Sequence, residues 1–477
     1  MTASLLQFHE LKPVIAGAQT VVGKFLLWVA GCGLLVWHHV DPPMLAAFTL
    51  VLLFPQHRRV LLGLAALGLI AVAFLPRDII SLANLAASLR AVGASRWIEY
   101  AASTAVAGAA VLLLVWAAIR FERLPAAVRR RPLLWLHLFA GIALIAGALW
   151  HVEVLLFAPF LLWRASYLFK SAAAGRTAGT KLQDHLFYLV PVFGGTNTPF
   201  GKGFEYLGRT EARNPEAAAR SQLAGIRLLA LAVVLSVLLD LMLAVVHGRM
   251  DTIFRASLAR WSLGLPILGE VLAGDGNPGV ALGWLGVYLE LIRTTTRLAV
   301  YGHLIVGCLR LLGFNVFRNT YKPLLATSIV EFWNRFYYYF KELLVEMFFY
   351  PAFYRSGWAN PRLRMLIAVL AAAFAGNAYF HLLRDYEPVL AGDWPVVVTY
   401  WIPRLIYCLL LAFGIWLSMM RQQELRRQAG RPSGWMIRLR GMAGVWTFFG
   451  LLHVWLVEPP VADAARRVSF FRSLVGL

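Results

Sequence analysis

Charged residues are scarce in this chain of 477 residues, of which they make up only 14%. Soluble domains carry roughly 25% charged residues and 45–50% apolar ones. Hydrophobic residues here reach 60%, and the mean hydropathy is +0.67. A soluble protein of this composition could not cover its surface with polar groups. The composition therefore predicts an all-α polytopic integral membrane protein.

Cysteine is also rare, with three residues at Cys32, Cys308 and Cys408. All three lie in apolar runs, so we expect buried free thiols and neither a disulfide nor a metal set. The sequence lacks HExxH and CxxC patterns, a phosphate-binding GxxxxGK[ST] loop and a GxSxG nucleophile elbow. We therefore predict no metal site and no tightly bound cofactor.

The N-terminal residues lack a basic region ahead of an apolar run and a small-residue cleavage site, so we expect no removable signal peptide. The formal net charge is +21. In a membrane protein, excess Lys and Arg indicates cytoplasmic loops that face anionic lipid. No basic run alternates with aromatics outside an apolar span, so we expect membrane lipids and not nucleic acid as partners.

Apolar segments follow one another along the chain, and we predict about eleven transmembrane helices in a single membrane domain over residues 1–477. Several segments are shorter than the roughly 20 residues of a straight span, and the run at 279–313 is long enough to bend or to form two pieces. The predicted segments are 22–37, 43–55, 60–75, 99–119, 132–149, 152–168, 182–193, 225–247, 279–313, 326–350, 363–383, 395–420 and 437–457.

Basic residues cluster in alternate connections, which the positive-inside rule places in the cytoplasm. This assignment puts the N-terminus outside, Arg362 and Arg364 inside, and Arg384 and Asp385 outside. The clusters lie at 58–59, 120–131, 170–181 and 421–440.

Polar groups stand among dense aromatics in the stretch 301–354. Such groups are costly in apolar surroundings and often mark functional sites. Glu331 and Arg335 are four residues apart, which favours an ion pair on one helix face. Asn334 and Tyr337 share a helical spacing.

His381 ends a later apolar run, with Asn377 one turn before it. Imidazole is well suited to take a proton from a hydroxyl near neutral pH, so His381 is a candidate general base. The alternative is a hydrogen-bonded histidine at the end of a helix, with no role in chemistry.

Three further charged residues, Glu290, Arg293 and Arg297, share one helix face. They predict either an internal salt-bridge ladder, which we favour, or a site for a substrate anion. Asp240 stands alone in an apolar run and must face protein or water, where a proton-relay role is the alternative to a structural one.

The stretch 302–336 resembles the signature of the membrane-bound O-acyltransferase (MBOAT) superfamily. The resemblance covers roughly residues 150–385, with N-terminal helices at 1–149 and C-terminal helices at 386–477; it is weaker in the earlier part, at 161–207. The matching residues are Leu311, Leu312, Gly313, Phe314, Asn319, Pro323, Ser328, Phe332, Trp333 and Arg335, with Pro351 at the end of the next helix.

The resemblance implies helices around a central tunnel and transfer of an acyl group, with acetyl expected, from a thioester to a hydroxyl. The donor would be acyl-coenzyme A or an acyl carrier protein from the cytoplasm, and the acceptor a cell-envelope glycan. The implied location is the inner (plasma) membrane. An extracytoplasmic acyltransferase or glycan-modifying protein is the implied partner.

The resemblance also suggests residue roles. His381 matches the family's catalytic histidine and would act as general base. Asn334, Tyr337 or a nearby backbone amide would stabilise the oxyanion or orient the acceptor. The predicted substrate-binding residues are Trp333, Arg335, Ser328 and Asn377, although the spacing of Arg335 from Glu331 favours a structural ion pair.

The chain departs from the family pattern at Tyr337, where a second histidine is common, and at Phe380 and Leu382, which flank His381 in place of Trp and Gly. Three alternatives stay open: acylation of a lipid, acylation of a small metabolite, and a non-catalytic scaffold that retains the fold. A secondary transporter would show two repeated halves, and the sequence shows no such repeat.

Overall fold

The computed structural model describes residues 5–73, 94–150, 152–191, 202–249, 258, 261–274, 278–355, 357–427, 434–457 and 462–477. Within these ranges the regular structure is helical, and the β-pairing consists of one isolated bridge between Glu211 and Phe314. The prediction of an all-α protein is confirmed.

We number the α-helices of the described ranges α1 to α22. The first eleven are α1 Lys12–Gln19, α2 Val21–Trp37, α3 Pro42–Leu53, α4 Arg58–Ala73, α5 Ala94–Ile119, α6 Ala126–Arg130, α7 Pro132–Leu149, α8 Ala158–Ala173, α9 Gln183–Leu189, α10 Phe204–Thr210 and α11 Pro215–His247. The others are α12 Leu268–Ala273, α13 Val280–Leu311, α14 Ile329–Arg335, α15 Tyr338–Leu344, α16 Tyr350–Arg355, α17 Pro361–Val369, α18 Asn377–Arg384, α19 Glu387–Leu390, α20 Trp394–Arg427, α21 Trp435–Val454 and α22 Ala464–Ser473.

Two π-helical turns, Val345–Phe349 and Leu370–Gly376, join α15 to α16 and α17 to α18. Short 3₁₀ turns occupy Leu5–Glu10, Pro55–His57, Phe121–Arg123, Glu153–Phe157 and Pro323–Leu325.

Six helical segments of the described chain are long and apolar enough to cross a membrane, so the chain has the character of a multi-pass membrane protein. The bent pair α1 and α2, with 95° between the helices, raises the number to seven if it forms one span. Eleven spans and a central tunnel stay predictions. The six segments are Pro55–Ala73, Trp97–Ile119, Pro132–Leu149, Pro215–His247, Pro361–Arg384 and Trp394–Glu424.

Two predicted segments differ from the helices observed. The segment 326–350 is not one helix, because Tyr337 has a left-handed backbone (φ +53°) that ends α14 and precedes α15. The run at 279–313 forms one continuous helix, α13. The Gly- and Pro-rich part of the earlier motif region, 192–201, lies outside the described residues.

The chain divides into two compact units, of which the first comprises Met1–Ala230 and Leu304–Phe317. Its Gly313, in the Leu-Leu-Gly-Phe turn of the motif, has φ +87°, and a Cβ there would lie 2.6 Å from the guanidinium of Arg58. Arg58 is buried and donates to the carbonyl of Ala212 at 3.0 Å. Glycine is therefore required twice at this turn, for its backbone angle and for the space that Arg58 fills.

The second unit comprises Leu231–His303 and Arg318–Leu477. Phe332 of α14 stacks on Phe449 of α21, with ring centroids 3.8 Å apart. Val369 and Ala412 belong to one buried cluster that joins α17 to α20. The organisation of residues 1–477 as a single domain stays a prediction.

All three cysteines are free thiols: Cys308 and Cys408 are buried, and Cys32 is half-buried.

Close packing of α21 on α13 yields a first test. A Cβ at Gly450 would lie 2.7 Å from Cγ1 of Val287, whereas one at Gly444 on the same helix would meet no atom within 4 Å. We expect Gly450→Ala to lower the free energy of unfolding by about 1–3 kcal/mol through overpacking. Gly444→Ala should be neutral or slightly stabilising, because alanine favours helix. Thermal unfolding in detergent measures both, and equal melting temperatures would contradict this packing.

Candidate functional site

The break at Tyr337 is held by the motif residue Asn319. The carbonyl of Asn319 accepts from the N–H of Tyr338 at 2.9 Å, and its Oδ1 accepts from the N–H of Tyr339 at 3.2 Å. These N–H groups begin α15 and have no partner inside that helix. Asn319 therefore stabilises the broken backbone of the stretch that the sequence singles out.

Ser328 caps the start of α14. Its Oγ accepts from the N–H of Glu331 at 3.1 Å and from Nε2 of Gln422 at 2.8 Å. The Glu331 carboxylate accepts from the N–H and hydroxyl of Thr327 and from Arg335 at 2.5 Å. The i, i+4 ion pair indicated by the spacing is thus present. The observed contacts of Ser328 and Arg335 stabilise α14.

An aromatic series connects α14 to the helix that carries His381. The ring centroids of Trp333 and Phe340 are 6.5 Å apart, and those of Phe340 and Phe380 are 4.6 Å apart. Phe380 and His381 are neighbours, with ring centroids 6.1 Å apart. The structure therefore brings the central stretch and His381 to one buried region, through packing between α15 and α18.

Several polar side-chain atoms in this region are buried and lack a hydrogen-bond partner among the described residues. They are Nδ1 of His381, both Oδ1 and Nδ2 of Asn377, and Nε1 of Trp333. Asn377 is 1% exposed, and His381 is 7% exposed. Because Asn377 and His381 are four residues apart on α18, they share one helix face. Buried polar groups are nearly always paired, so this face is suited to a bound polar molecule.

The backbone around α18 departs from regular α-helix. The π turn Leu370–Gly376 ends at the residue before Asn377, and a Cβ at Gly376 would lie 2.7 Å from the ring of Phe348 in the other π turn. π turns inside helices occur frequently at functional sites. Here they set the position at which α18 presents Asn377 and His381.

The far end of α18 is tied to α20. The N–H of Asp385 donates to the carbonyl of His381 at 2.9 Å, and the Asp385 carboxylate accepts from Arg384 and from Arg404, each at 2.9 Å. Arg404 also donates to the hydroxyl of Tyr400. This network fixes the last turn of α18, which bears His381.

The other predicted catalytic residues, Asn334 and Tyr337, are less buried than His381. Asn334 is exposed, and its Oδ1 accepts from Nζ of Lys341 at 3.4 Å. The ring of Tyr337 is half-buried and packs edge-on against Phe340, with centroids 5.9 Å apart. Asp240 is half-buried on α11. The catalytic roles of Asn334 and Tyr337 stay predictions.

The sequence alone did not identify the ion pair of Arg404 with Asp385 or the contact of Gly376 with Phe348. Arg404 could have been singled out from the sequence, because an arginine inside a long apolar helix seldom lacks a structural or functional role. The contact of Gly376 with Phe348 could not have been inferred from the sequence, because it joins two π turns that come together only in the folded chain.

A comparison with protein-family models found no matching family, and a comparison with curated proteins found no matching protein.

The contacts of Glu331 predict a pH dependence. Burial opposes ionisation of Glu331, but its hydrogen bonds with Thr327 and the charge of Arg335 outweigh burial and lower its pKa. A carboxylate with a lowered pKa stabilises the fold above the pKa of the unfolded chain, about 4.3, and this contribution is lost as the pH falls through the folded-state pKa.

We therefore expect the wild type to lose more thermal stability than Glu331→Gln when the pH falls below about 5. Melting curves of both proteins across this range measure the difference. Glu216→Gln, which removes an exposed carboxylate paired with Arg220, is the control. Parallel curves for wild type and Glu331→Gln would show that Glu331 does not stabilise the fold.

Proposed function

We propose that this chain is a membrane-bound O-acyltransferase of the MBOAT superfamily, with about eleven transmembrane helices around a central tunnel in the inner (plasma) membrane. It transfers an acyl group, with acetyl expected, from a cytoplasmic thioester to a hydroxyl of a cell-envelope glycan. The observation that carries the proposal is the buried face of α18, where the polar atoms of Asn377 and His381 have no partner among the described residues.

Two further features support the proposal. Trp333, in the motif that resembles the family, is buried and joined to His381 by the rings of Phe340 and Phe380. The described chain also has the long apolar helices that such a membrane enzyme needs. A general base and potential hydrogen-bond donors thus occupy one apolar region, the environment in which fixed dipoles act most strongly on developing charge.

The chemistry follows from these groups. A nitrogen of His381 takes the proton of the acceptor hydroxyl as the oxygen attacks the thioester carbonyl carbon. The tetrahedral oxyanion accepts hydrogen bonds, and the candidate donors are Nδ2 of Asn377 and Nε1 of Trp333, which are buried and have no partner among the described residues. When the carbon–sulfur bond breaks, the imidazolium of His381 returns the proton to the thiolate, and the acyl group stays on the acceptor oxygen as an ester.

The sign of the charge on the loops suits the donor. By the positive-inside rule the arginine-rich connections face the cytoplasm, where they attract an acidic donor such as acyl-coenzyme A or an acyl carrier protein. The same rule puts the C-terminal end of α18, near Arg384, towards the outer side of the membrane, where an envelope glycan is available. A glycan-modifying partner outside the membrane would receive or deliver the acceptor.

Replacement of His381 tests the proposal directly. Membranes from cells that produce the chain should transfer label from radiolabelled acetyl-coenzyme A to envelope glycan. We expect His381→Ala to lower this transfer by at least about 100-fold, the usual size of a general-base contribution. His57→Ala, at an exposed position, is the control and should retain full transfer. Transfer that survives His381→Ala intact would remove His381 from the mechanism.

Trp333→Phe separates chemistry from packing. Nε1 of Trp333 has no partner among the described residues, so the change breaks no observed hydrogen bond and keeps most of the buried ring. We expect the melting temperature to change little while acyl transfer falls about 100- to 1,000-fold, the range for loss of an oxyanion donor. Unchanged transfer would show that this indole N–H does not contact the reacting group.

The scaffold alternative rests on Tyr337, which stands where the family commonly has a second histidine. If the wild-type chain transfers no acyl group to any glycan, lipid or small hydroxyl compound, the scaffold becomes the better explanation. Label in a lipid or a small metabolite would keep the chemistry and change the acceptor.

A further inference from the structure

Two buried arginines line one cavity in the second unit. Arg404 lies on α20 and is 4% exposed, and Arg467 lies on α22 and is 1% exposed. The same cavity is lined by Tyr400 and Pro403 of α20 and by Trp455, which follows α21. The fold therefore brings two guanidinium groups from different helices to one small space.

Neutral groups hold Arg467 in place. Its Nε donates to the carbonyl of Ala462 at 3.0 Å, and its Nη1 donates to the carbonyl of Val454. Its Nη2 makes no hydrogen bond, and the guanidinium forms no ion pair, with any residue of the described chain. Both carbonyls belong to residues of one buried apolar cluster. A buried charge in such surroundings is costly without a counter-ion.

The acidic side chains nearby have other partners. The carboxylate of Asp385 accepts from Arg404 and from Arg384, each at 2.9 Å. Asp463 accepts from the N–H of Arg466 at 2.9 Å, and neither carboxylate forms an ion pair with Arg467. Burial, and then the charge of Arg404, lower the pKa of Arg467 to about 10 against the opposing effect of Asp463. Arg467 therefore stays charged at neutral pH.

The size of the cavity limits what can balance this charge. Its volume is about 10 Å³. One water molecule needs roughly 10–15 Å³ on this measure, so a carboxylate or phosphate group is too large. Two guanidinium groups repel a cation, and water would leave the charge of Arg467 uncompensated. A monatomic anion fits both the size and the charge.

We propose that Arg404 and Arg467 bind a monatomic anion of the size of chloride in this cavity, at a site separate from the buried face of α18. Arg467 offers Nη2, which has no hydrogen-bond partner in the described chain, and Arg404 adds a second positive charge from α20. The anion holds α22 against α20 by compensating both guanidinium groups. This role does not depend on the proposed acyl transfer.

Halide-dependent stability tests the site without an activity assay. For the purified chain in uncharged detergent, replacement of gluconate by chloride at constant ionic strength should raise the melting temperature saturably, by about 1–3 °C. Arg467→Gln should abolish the rise, and Arg467→Lys, which keeps the charge without the planar fork, should weaken it. Arg472→Gln, at an exposed position of α22, is the control and should retain it.

Anion size and a neighbouring carboxylate give two further comparisons. Bromide should replace chloride, and sulfate at the same ionic strength should not; an equal rise with sulfate would overturn the assignment to a monatomic anion. Glu458 follows Val457, which lines the cavity, and lies outside the described residues. A rise with chloride that appears only in Glu458→Gln would identify this carboxylate as the counter-ion and refute the proposal.

Tryptophan fluorescence covers the case in which Arg467→Gln fails to fold. Trp455 lines the cavity, and bromide quenches tryptophan fluorescence on contact. We expect a saturable component of quenching in the wild type that Trp455→Phe loses. Quenching that rises linearly with bromide in both proteins would contradict a bound anion. So would a chloride-dependent rise in melting temperature that is equal in the wild type and in Arg467→Lys.

Discussion

The cost of an unpaired polar group in apolar surroundings shapes this protein. Where the backbone breaks or a side chain bears a charge, another part of the chain usually supplies a partner. Asn319 accepts from the N–H groups at the start of α15. The carboxylate of Glu290 on α13 accepts from the guanidinium of Arg293 and the hydroxyl of Thr294. Against this pattern, buried polar atoms of Asn377 and His381 have no hydrogen-bond partner among the described residues. They are the positions at which a ligand gains most by binding.

The motif residues divide between folding and chemistry. Gly313 permits a turn against Arg58, Asn319 supports the backbone break, and Ser328 caps α14. These three residues therefore maintain the backbone around the proposed site, and this role requires no contact with substrate. The groups suited to chemistry are instead on α18 and at Trp333, whose indole N–H has no partner among the described residues.

Irregularities in the helices set the direction in which the side chains of the proposed site point. The left-handed Tyr337 redirects the chain between α14 and α15, and the π turn before Asn377 changes the register of α18. Regular helices would carry the same side chains to other faces, because a π turn inserts a residue and rotates those that follow. The network of Asp385 and Arg404 then holds the other end of α18.

The sequence by itself determined the helical membrane class, since hydrophobic composition and segment length depend on no distant contact. It also determined the Glu331–Arg335 ion pair, a local consequence of helical spacing. Only the tertiary structure decided that Asn334 is exposed, that Asn377 is buried beside His381, and that Arg404 and Arg467 line one cavity. These outcomes depend on which helices pack together and where their backbones break, and residue spacing along one helix does not encode such long-range contacts.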